Sequence, residues 1–401
     1  MRKCPLSIPT KSGKNYCYQY LLSIIFYLDL TFKTDNKMKI LWLAHRDPLN
    51  PKAGGAERII YEVGKRLVKN GHEVILLSGG WENSKKKDTL EGIHIIRFGY
   101  RIGPHIALPV HILKHRYDVI IADLGHAVPW VSPVLLRRKT IVSFLHLHAR
   151  SLSGQVGKLL AYSITAVEKL YFLFYNKSHF VTISNTSFDD LKNLGIKAET
   201  ISLINPGVNS ELFHPSIKTE YPSIVYFGGI RQYKRPEESL YLMGELIDRI
   251  PDLKLTMIGD GPLRKSLEML CEKLDLKENV TFTGKISDSE VAEIVASSWL
   301  NIHSSVTEGW GISIIEASSA GTPTVAFKVP GVSDSVEDGL NGITVENGNR
   351  GALVDAAYSI LSNPEGWWSS SAKVAKKYSW DKTAELWESL ITEITDYHSS
   401  R

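Results

Sequence analysis

The sequence predicts an α/β protein built from two doubly wound, Rossmann-like domains, and three observations carry that prediction. First, 401 residues exceed one typical domain, and two domains of ~150–200 residues are the natural division. Second, short apolar runs bounded by turn signals alternate with stretches of helical period, the pattern of a parallel sheet covered on both faces. Third, charge changes sign along the chain. Residues 38–205 carry 23 Lys/Arg against 13 Asp/Glu, and residues 206–401 carry 18 against 28.

The first 37 residues stand apart. They hold an apolar run, Tyr16 to Phe32, broken by Gln19 and Asp29 and preceded by Arg2, Lys3, Lys11 and Lys14, with no small-residue cleavage site. From Met38 the sequence reads M-K-I-L-W-L-A-H, the start of a buried strand, so 1–37 reads as an extension, disordered or from a misassigned start, with a signal peptide or membrane anchor as the alternative. No run of 18 apolar residues marks a membrane span.

The first domain is expected over 38–208. Lys39–Ala44 is its first strand, and Gly54-Gly55 opens a helix with Ile59, Ile60, Val63, Leu67 and Val68 at helical spacing. Asn70-Gly71 ends it. Further strands are expected at Glu73–Ser78, Ile93–Phe98, Asp118–Ala122, Thr140–Leu145, Phe180–Ile183 and Ile201–Ile204. Glu57 and Arg58 read structurally as a first-turn cap and a surface charge. Strand Thr140–Leu145 ends in His146-Leu147-His148, where a histidine faces the ligand edge of an open α/β sheet. His126 reads as structural. The aromatic stretch 151–178 reads as a core helix, with contact to a membrane interface as the alternative.

Asn205-Pro206-Gly207 supplies a hinge. The second domain is expected over 209–380. Its strand Ser223–Phe227 runs into Gly228-Gly229-Ile230-Arg231-Gln232-Tyr233-Lys234, a glycine turn with cations that suits a phosphate. Strand Lys254–Ile258 runs into Gly259-Asp260-Gly261, and strand Val280–Thr283 into Gly284-Lys285. Helix Asp288–Ser297 and strand Leu300–Ser304 lead to the richest stretch, S-S-V-T-E-G-W-G-I-S-I-I-E-A. There a turn with Gly309, Trp310 and Gly311 opens a helix near Ile312. Glu308 stands before the turn and Glu316 one to two turns into the helix. Free first-turn N–H groups and the helix dipole favour an anion, and the two carboxylates are acceptors for hydroxyls. The last segment, 381–401, is expected to be a helix.

The stretch E-G-W-G-I-S-I-I-E-A resembles the E-x7-E signature of retaining glycosyltransferases of family 4, the group 1 type, which share the GT-B fold. The segments G-G-A-E-R at 54–58, N-P-G-V-N at 205–209, G-D-G-P at 259–262 and D-G-L-N-G at 338–342 match in order, so the resemblance covers most of 38–390. It implies two domains facing a cleft, a last helix that crosses back onto the first domain, and a hexosyltransferase moving a sugar from a nucleoside-diphosphate sugar to a saccharide or lipid-linked acceptor, with retention. The resemblance puts Lys234, Glu308, His146 and Arg231 in catalysis. It puts Gly54, Gly55, Gly229, Gly259, Asp260, Gly261, Gly309, Trp310, Gly311, Ile312 and Glu316 around the donor. At Gly229 the sequence departs from the family, which has an arginine there, and Arg231 is two residues on. His146 and His148 both fit the cleft histidine.

No D-x-D occurs, so no metal and no cofactor beyond the nucleotide sugar is expected. No G-x-G-x-x-G follows the first strand, which speaks against a dehydrogenase. Two rivals stay open, a sugar-nucleotide 2-epimerase and a non-catalytic binding module. Three scattered cysteines, Cys4, Cys17 and Cys271, point to a reducing compartment. The chain is expected to be cytoplasmic or peripheral at the inner face of the membrane, with the basic half toward the acceptor or lipid, and to bind no nucleic acid.

That last expectation is testable. A diffuse basic field is screened within ~8 Å at physiological ionic strength, whereas buried contacts are not. Raising salt is expected to raise KM for the acceptor much more than KM for the donor. Equal responses in steady-state kinetics would reduce the charge asymmetry to a structural feature.

Overall fold

The computed structural model describes residues 37–99, 103–125, 130, 140–147, 166, 175 and 177–399. His126, His148, Arg150, the basic run 137–139 and nearly all of 151–178 lie outside the described residues.

The first lobe opens with β1 (Lys39–Leu43), α1 (Gly55–Lys69) and β2 (Glu73–Ser78). There follow β3 (Lys87–Leu90), β4 (Ile93–Arg97), α2 (Gly103–Lys114), β5 (Val119–Asp123), β6 (Thr140–Phe144), β7 (His179–Thr182), α3 (Asn185–Asn193) and β8 (Ile201–Leu203). They make one sheet in the order β3-β4-β2-β1-β5-β6-β7-β8. Strands β1, β5 and β6 are apolar and buried almost throughout, as strands covered on both faces must be. One departure from an all-parallel sheet is the edge strand β3, which pairs antiparallel with β4. Its sequence, K-D-T-L, carries no apolar run, because an edge strand with an exposed face needs none. The sequence reading missed it for that reason.

The second lobe contains β9 (Ser223–Phe227), α4 (Glu237–Leu246), β10 (Lys254–Ile258), α5 (Arg264–Lys273), β11 (Val280–Gly284), α6 (Asp288–Ser297) and β12 (Leu300–His303). It continues with α7 (Ile312–Ser319), β13 (Thr324–Lys328), α8 (Val332–Ser335), β14 (Gly342–Glu346), α9 (Arg350–Ser362) and α10 (Glu365–Ala375). The sheet order is β11-β10-β9-β12-β13-β14, all parallel. The strands and helices expected within the described residues agree with these to within a residue or so at their ends.

The final helix, α11 (Trp380–Ser399), lies on α1 of the first lobe. Trp387 packs on Trp42 with ring centroids 5.3 Å apart. Around that apolar contact Arg66 Nε donates to Asp381 at 2.6 Å, and His72 Nε2 meets Glu388 at 3.0 Å. The chain therefore passes between lobes twice, and the two passages touch. Val208 bridges Ser379, and the Thr383 hydroxyl donates to the Asn205 carbonyl at 2.9 Å.

The loop after β1 is fixed by a buried ion pair. Arg97 grips Asp47 bidentately, Nε to Oδ2 at 2.7 Å and Nη2 to Oδ1 at 2.9 Å. Ser78 Oγ adds a bond to Asp47 at 2.8 Å, and Arg97 Nη1 reaches Asp88 at 3.0 Å. Both side chains are essentially removed from water, at 0% for Asp47 and 2% for Arg97. The bonds to Asp47 raise the Arg97 pKa further. Breaking a buried pair from one side leaves the other charge uncompensated, which costs ~3–5 kcal/mol. Asp47→Ala is therefore expected to lower stability by about that amount in urea unfolding. A loss within ~0.5 kcal/mol, the scale of an ordinary surface substitution, would show that Asp88, 3.0 Å from Arg97 Nη1, suffices to compensate the guanidinium.

Candidate active site

In an open α/β sheet the ligand crevice lies beyond the C-terminal strand ends, where the strand order reverses. In the second lobe that point lies between β9 and β12, which are paired side by side. The segment after β9 carries the short 3-10 turn Gln232–Lys234, and the segment after β12 carries Glu308. The two segments are stitched together. Ser304 Oγ donates to the carbonyls of Lys234 and Arg235 at 2.9 and 2.7 Å, and Val306 N donates to Tyr233 O at 2.8 Å. Arg235 returns a bond from Nε to Ser304 O at 2.8 Å.

That stitching brings Lys234 and Glu308, 74 positions apart in sequence, into a direct ion pair. Glu308 Oε1 also meets His303 Nε2 at 3.1 Å and accepts Ser305 Oγ at 2.6 Å. Burial alone would favour the neutral acid. Lys234 and His303 outweigh it and hold the Glu308 carboxyl well below the usual carboxylate range. Burial would likewise lower Lys234, but the Glu308 carboxylate raises it on balance, so the pair stays ionised at neutral pH. Burial is the largest influence on His303 and holds it below its ordinary value, despite Glu308. The sequence reading missed His303 and Ser305. The available signal was a histidine inside an apolar strand, five positions before a carboxylate.

Arg231 stands at the start of the 3-10 turn, exposed, with no ion pair among the described residues. Its side chain lies against Gly229. A Cβ placed there would meet Arg231 Nε at 3.5 Å. Tyr226 OH donates to the Gly229 carbonyl at 3.2 Å. The turns 228–230 and 259–261 interlock through Ile230 N to Asp260 O at 3.0 Å. A Cβ on Gly259 would stand 2.0 Å from Gly228 O, and one on Gly261 2.2 Å from Ile230 O. These two glycines are thus required by backbone against backbone, before any ligand is considered. Asp260 folds back on its own turn, accepting Gly261 N at 2.7 Å.

Helix α7 starts at Ile312, with Gly311 in the left-handed region at φ 85° and no side chain capping it. The first-turn N–H groups therefore have no side-chain acceptor among the described residues. Gly309 is where the lobes meet. A Cβ there would lie 3.0 Å from Ile183 Cδ1 and 3.5 Å from His146 Nδ1, so His146 does border this turn. The Trp310 indole is buried in the core and packs edge-on against Tyr378 at 5.3 Å.

Gly54 and Gly55 open α1 from the first lobe, and a Cβ on Gly55 would touch Ile312 Cδ1 at 3.5 Å. Glu57 caps that helix start, accepting Gly54 N at 2.7 Å, and Arg46 holds its other oxygen at 2.9 Å. Arg58 is not a surface charge. Its Nη1 lies 2.7 Å from Glu316 Oε1, across the two lobes. Glu316 is 6% exposed. Burial, the largest influence, pushes its carboxyl up to about 6, against the pull of Arg58 and with a small push from Asp288. A second polar contact joins the lobes at Asp334, which accepts Thr186 Oγ1 at 2.6 Å and the amides of Asn185 and Thr186 at 3.2 Å.

Among the described residues no group of three or more His, Cys, Asp or Glu is arranged to hold a metal, and no helix is long and apolar enough to cross a membrane.

Comparisons with known proteins fit this geometry. Residues 53–212 match the family model for Glycosyltransferase Family 4, and residues 209–379 that for Glycosyl transferases group 1. The N-acetyl-alpha-D-glucosaminyl L-malate synthase of Bacillus anthracis is 22% identical, over 79% of this chain and 86% of that one. Among solved structures, sucrose-phosphate synthase from Thermosynechococcus elongatus superposes with a TM-score of 0.79 at 20% identity, covering 90% of this chain and 100% of that one. Anabaena HepE, solved in complex with UDP and glucose, gives a TM-score of 0.71 at 18% identity, covering 89% of this chain and 100% of that one. The fold is GT-B, and the chain belongs to the group 1 glycosyltransferases of family 4.

Proposed function

We propose that this glycosyltransferase moves a hexosyl group from a nucleoside-diphosphate sugar to a hydroxyl of a saccharide or lipid-linked acceptor, with retention of configuration. The observation that carries this reading is the Lys234–Glu308 pair, set beside the uncapped start of α7. Transfer breaks the bond from the anomeric carbon to the diphosphate oxygen and forms one to the acceptor oxygen. The acceptor proton leaves with the diphosphate. Negative charge grows on that diphosphate, and Lys234, Arg231 and the α7 N–H groups are the donors positioned to meet it. No metal or cofactor enters this reading.

Glu308 Oε1 is taken by three donors, so the carboxylate is a poor nucleophile and its Oε2 suits a hydroxyl of the transferred sugar. This supports a same-face displacement rather than a covalent glycosyl intermediate. Gly309 and His146, adjoining the sugar position, suit the acceptor side. Glu316 suits the ribose, which would draw it away from Arg58. HepE was solved with UDP, which makes UDP the first nucleotide to try. A thermal-shift panel of UDP, GDP, ADP and dTDP identifies the base, since a ligand at about 100 times its Kd adds ~2.7 kcal/mol.

Lys234→Ala is expected to lower kcat by ~10²–10³, the scale for removing one stabiliser of developing charge, and also to lower stability, because Glu308 loses its main partner, so turnover is read at a temperature where the variant is shown to be folded. Unchanged turnover of the donor would take Lys234 out of the mechanism.

Glu316 yields a pH prediction. Its folded pKa is about 6, above its ordinary 4.5, so the fold favours the neutral acid. That contribution to stability is present at low pH and is lost as pH rises through about 6. Ribose binding favours the carboxylate, so affinity for the donor is expected to rise as pH increases through the same window. The intact nucleotide sugar is the right probe, because its diphosphate diester does not titrate there. Glu316→Gln is expected to bind more weakly and without the pH step. Calorimetry showing the same step in that variant would assign it to another group.

A further inference from the structure

On the second lobe a cavity of about 330 Å³ opens between the segment entering β9, the C-terminal end of α7 and the helix α10. Lys218, Lys373 and Lys376 line it, together with Ser216, Ser369 and Trp368. No acidic residue does. Nothing in the glycosyl-transfer reading uses these residues.

Lys218 is the anchor. Its Nζ donates to Ser298 O at 2.7 Å and to Thr322 Oγ1 at 2.8 Å, both neutral acceptors. An ammonium has three protons, so one remains after those two bonds. Thr322 is itself fixed by a bond to Val295 O at 2.7 Å, so the acceptors are rigid. Trp368 forms the wall, 5.5 Å from Lys218 Nζ to the ring centroid, and its indole N–H is tied to Trp299 O at 3.2 Å. Lys373 and Lys376 enter from α10, exposed and in no ion pair among the described residues. Three cations thus share one cavity with no counter-charge lining it.

We propose that this cavity binds a tetrahedral oxyanion, the phosphate of a small metabolite, held by Lys218, Lys373 and Lys376 against Trp368. Buried charges are tolerated when paired, and an anion here would supply that partner. The electrostatics of the cavity agree. Burial alone pulls Lys218 down to about 7, and no carboxylate raises it. The other charges facing it, Lys373 and Lys376, are of like sign. A bound dianion would restore its charge and raise its pKa.

The test uses the full chain and inorganic sulfate, whose charge is fixed across neutral pH. Sulfate, titrated against sodium chloride at equal ionic strength, is expected to give saturable binding by calorimetry and a rise in Tm. The double variant Lys373→Ala/Lys376→Ala changes only exposed residues and keeps the fold. It is expected to weaken sulfate by at least about tenfold, on the scale of two lost charge contacts. General salting effects on stability and binding in the glycosyl-transfer cleft both survive that variant, so they are separated from this site. The wild-type affinity is also expected to fall by about tenfold per pH unit above about pH 7, as Lys218 gives up its proton. An unchanged sulfate response in the double variant, or no saturable response in the wild type, overturns the proposal. Glucose 1-phosphate and inorganic phosphate, titrated in parallel, distinguish an ester from the free ion by which binds more tightly.

Discussion

The constraint on which the rest of the molecule depends is the side-by-side pairing of β9 and β12. A doubly wound sheet reverses its strand order once, and at that point two loops leave adjacent strand ends with nothing between them. One loop ends in Lys234 and the other carries Glu308. Neither loop could hold a charged side chain alone in this half-buried place. Each charge is tolerated because the other is there, and His303 and Ser305 add bonds to Glu308 Oε1 while Ser304 ties the two loops together. An ion pair made this way is fixed in position before any ligand arrives, which is what electrostatic stabilisation of a leaving group requires.

The glycines around the site have two different origins. Gly259 and Gly261 are small because two turns interlock backbone to backbone. Gly311 is glycine because the chain must turn left-handed to leave the start of α7 uncapped. Only the second kind shapes the helix start directly. Among the contacts that join the lobes are the apolar seat of α11 on α1, the cap that Asp334 gives the start of α3, and the pair Arg58–Glu316. The first is apolar at its centre, where Trp387 meets Trp42, with ion-pairing groups around it. The third places a cation in the first turn of a helix, where the dipole opposes it, so it depends on Glu316 for its balance.

Much of the architecture was legible along the chain. Most buried parallel strands read as apolar runs, though β13 and β14 were not read as strands, and α1 read from its period and its Asn-Gly end. The edge strand β3 was not legible, because an exposed edge carries no apolar signature. The family signature marked Glu308 and Glu316, yet it could not say that one is held by a lysine and the other by an arginine from the opposite lobe. Nor could it say that the Trp310 ring is buried against Tyr378.

The sequence by itself determined the fold class, the order of elements, the positions of the glycine turns and the two carboxylates, because those follow from local period and local chemistry. Tertiary structure alone decided which charges meet. Lys234 and Glu308 are 74 positions apart, Arg58 and Glu316 lie in different lobes, and Lys218 finds only neutral acceptors. Ionisation depends on burial and on the nearest opposite charge, and both are properties of distance in space, which no spacing along the chain encodes.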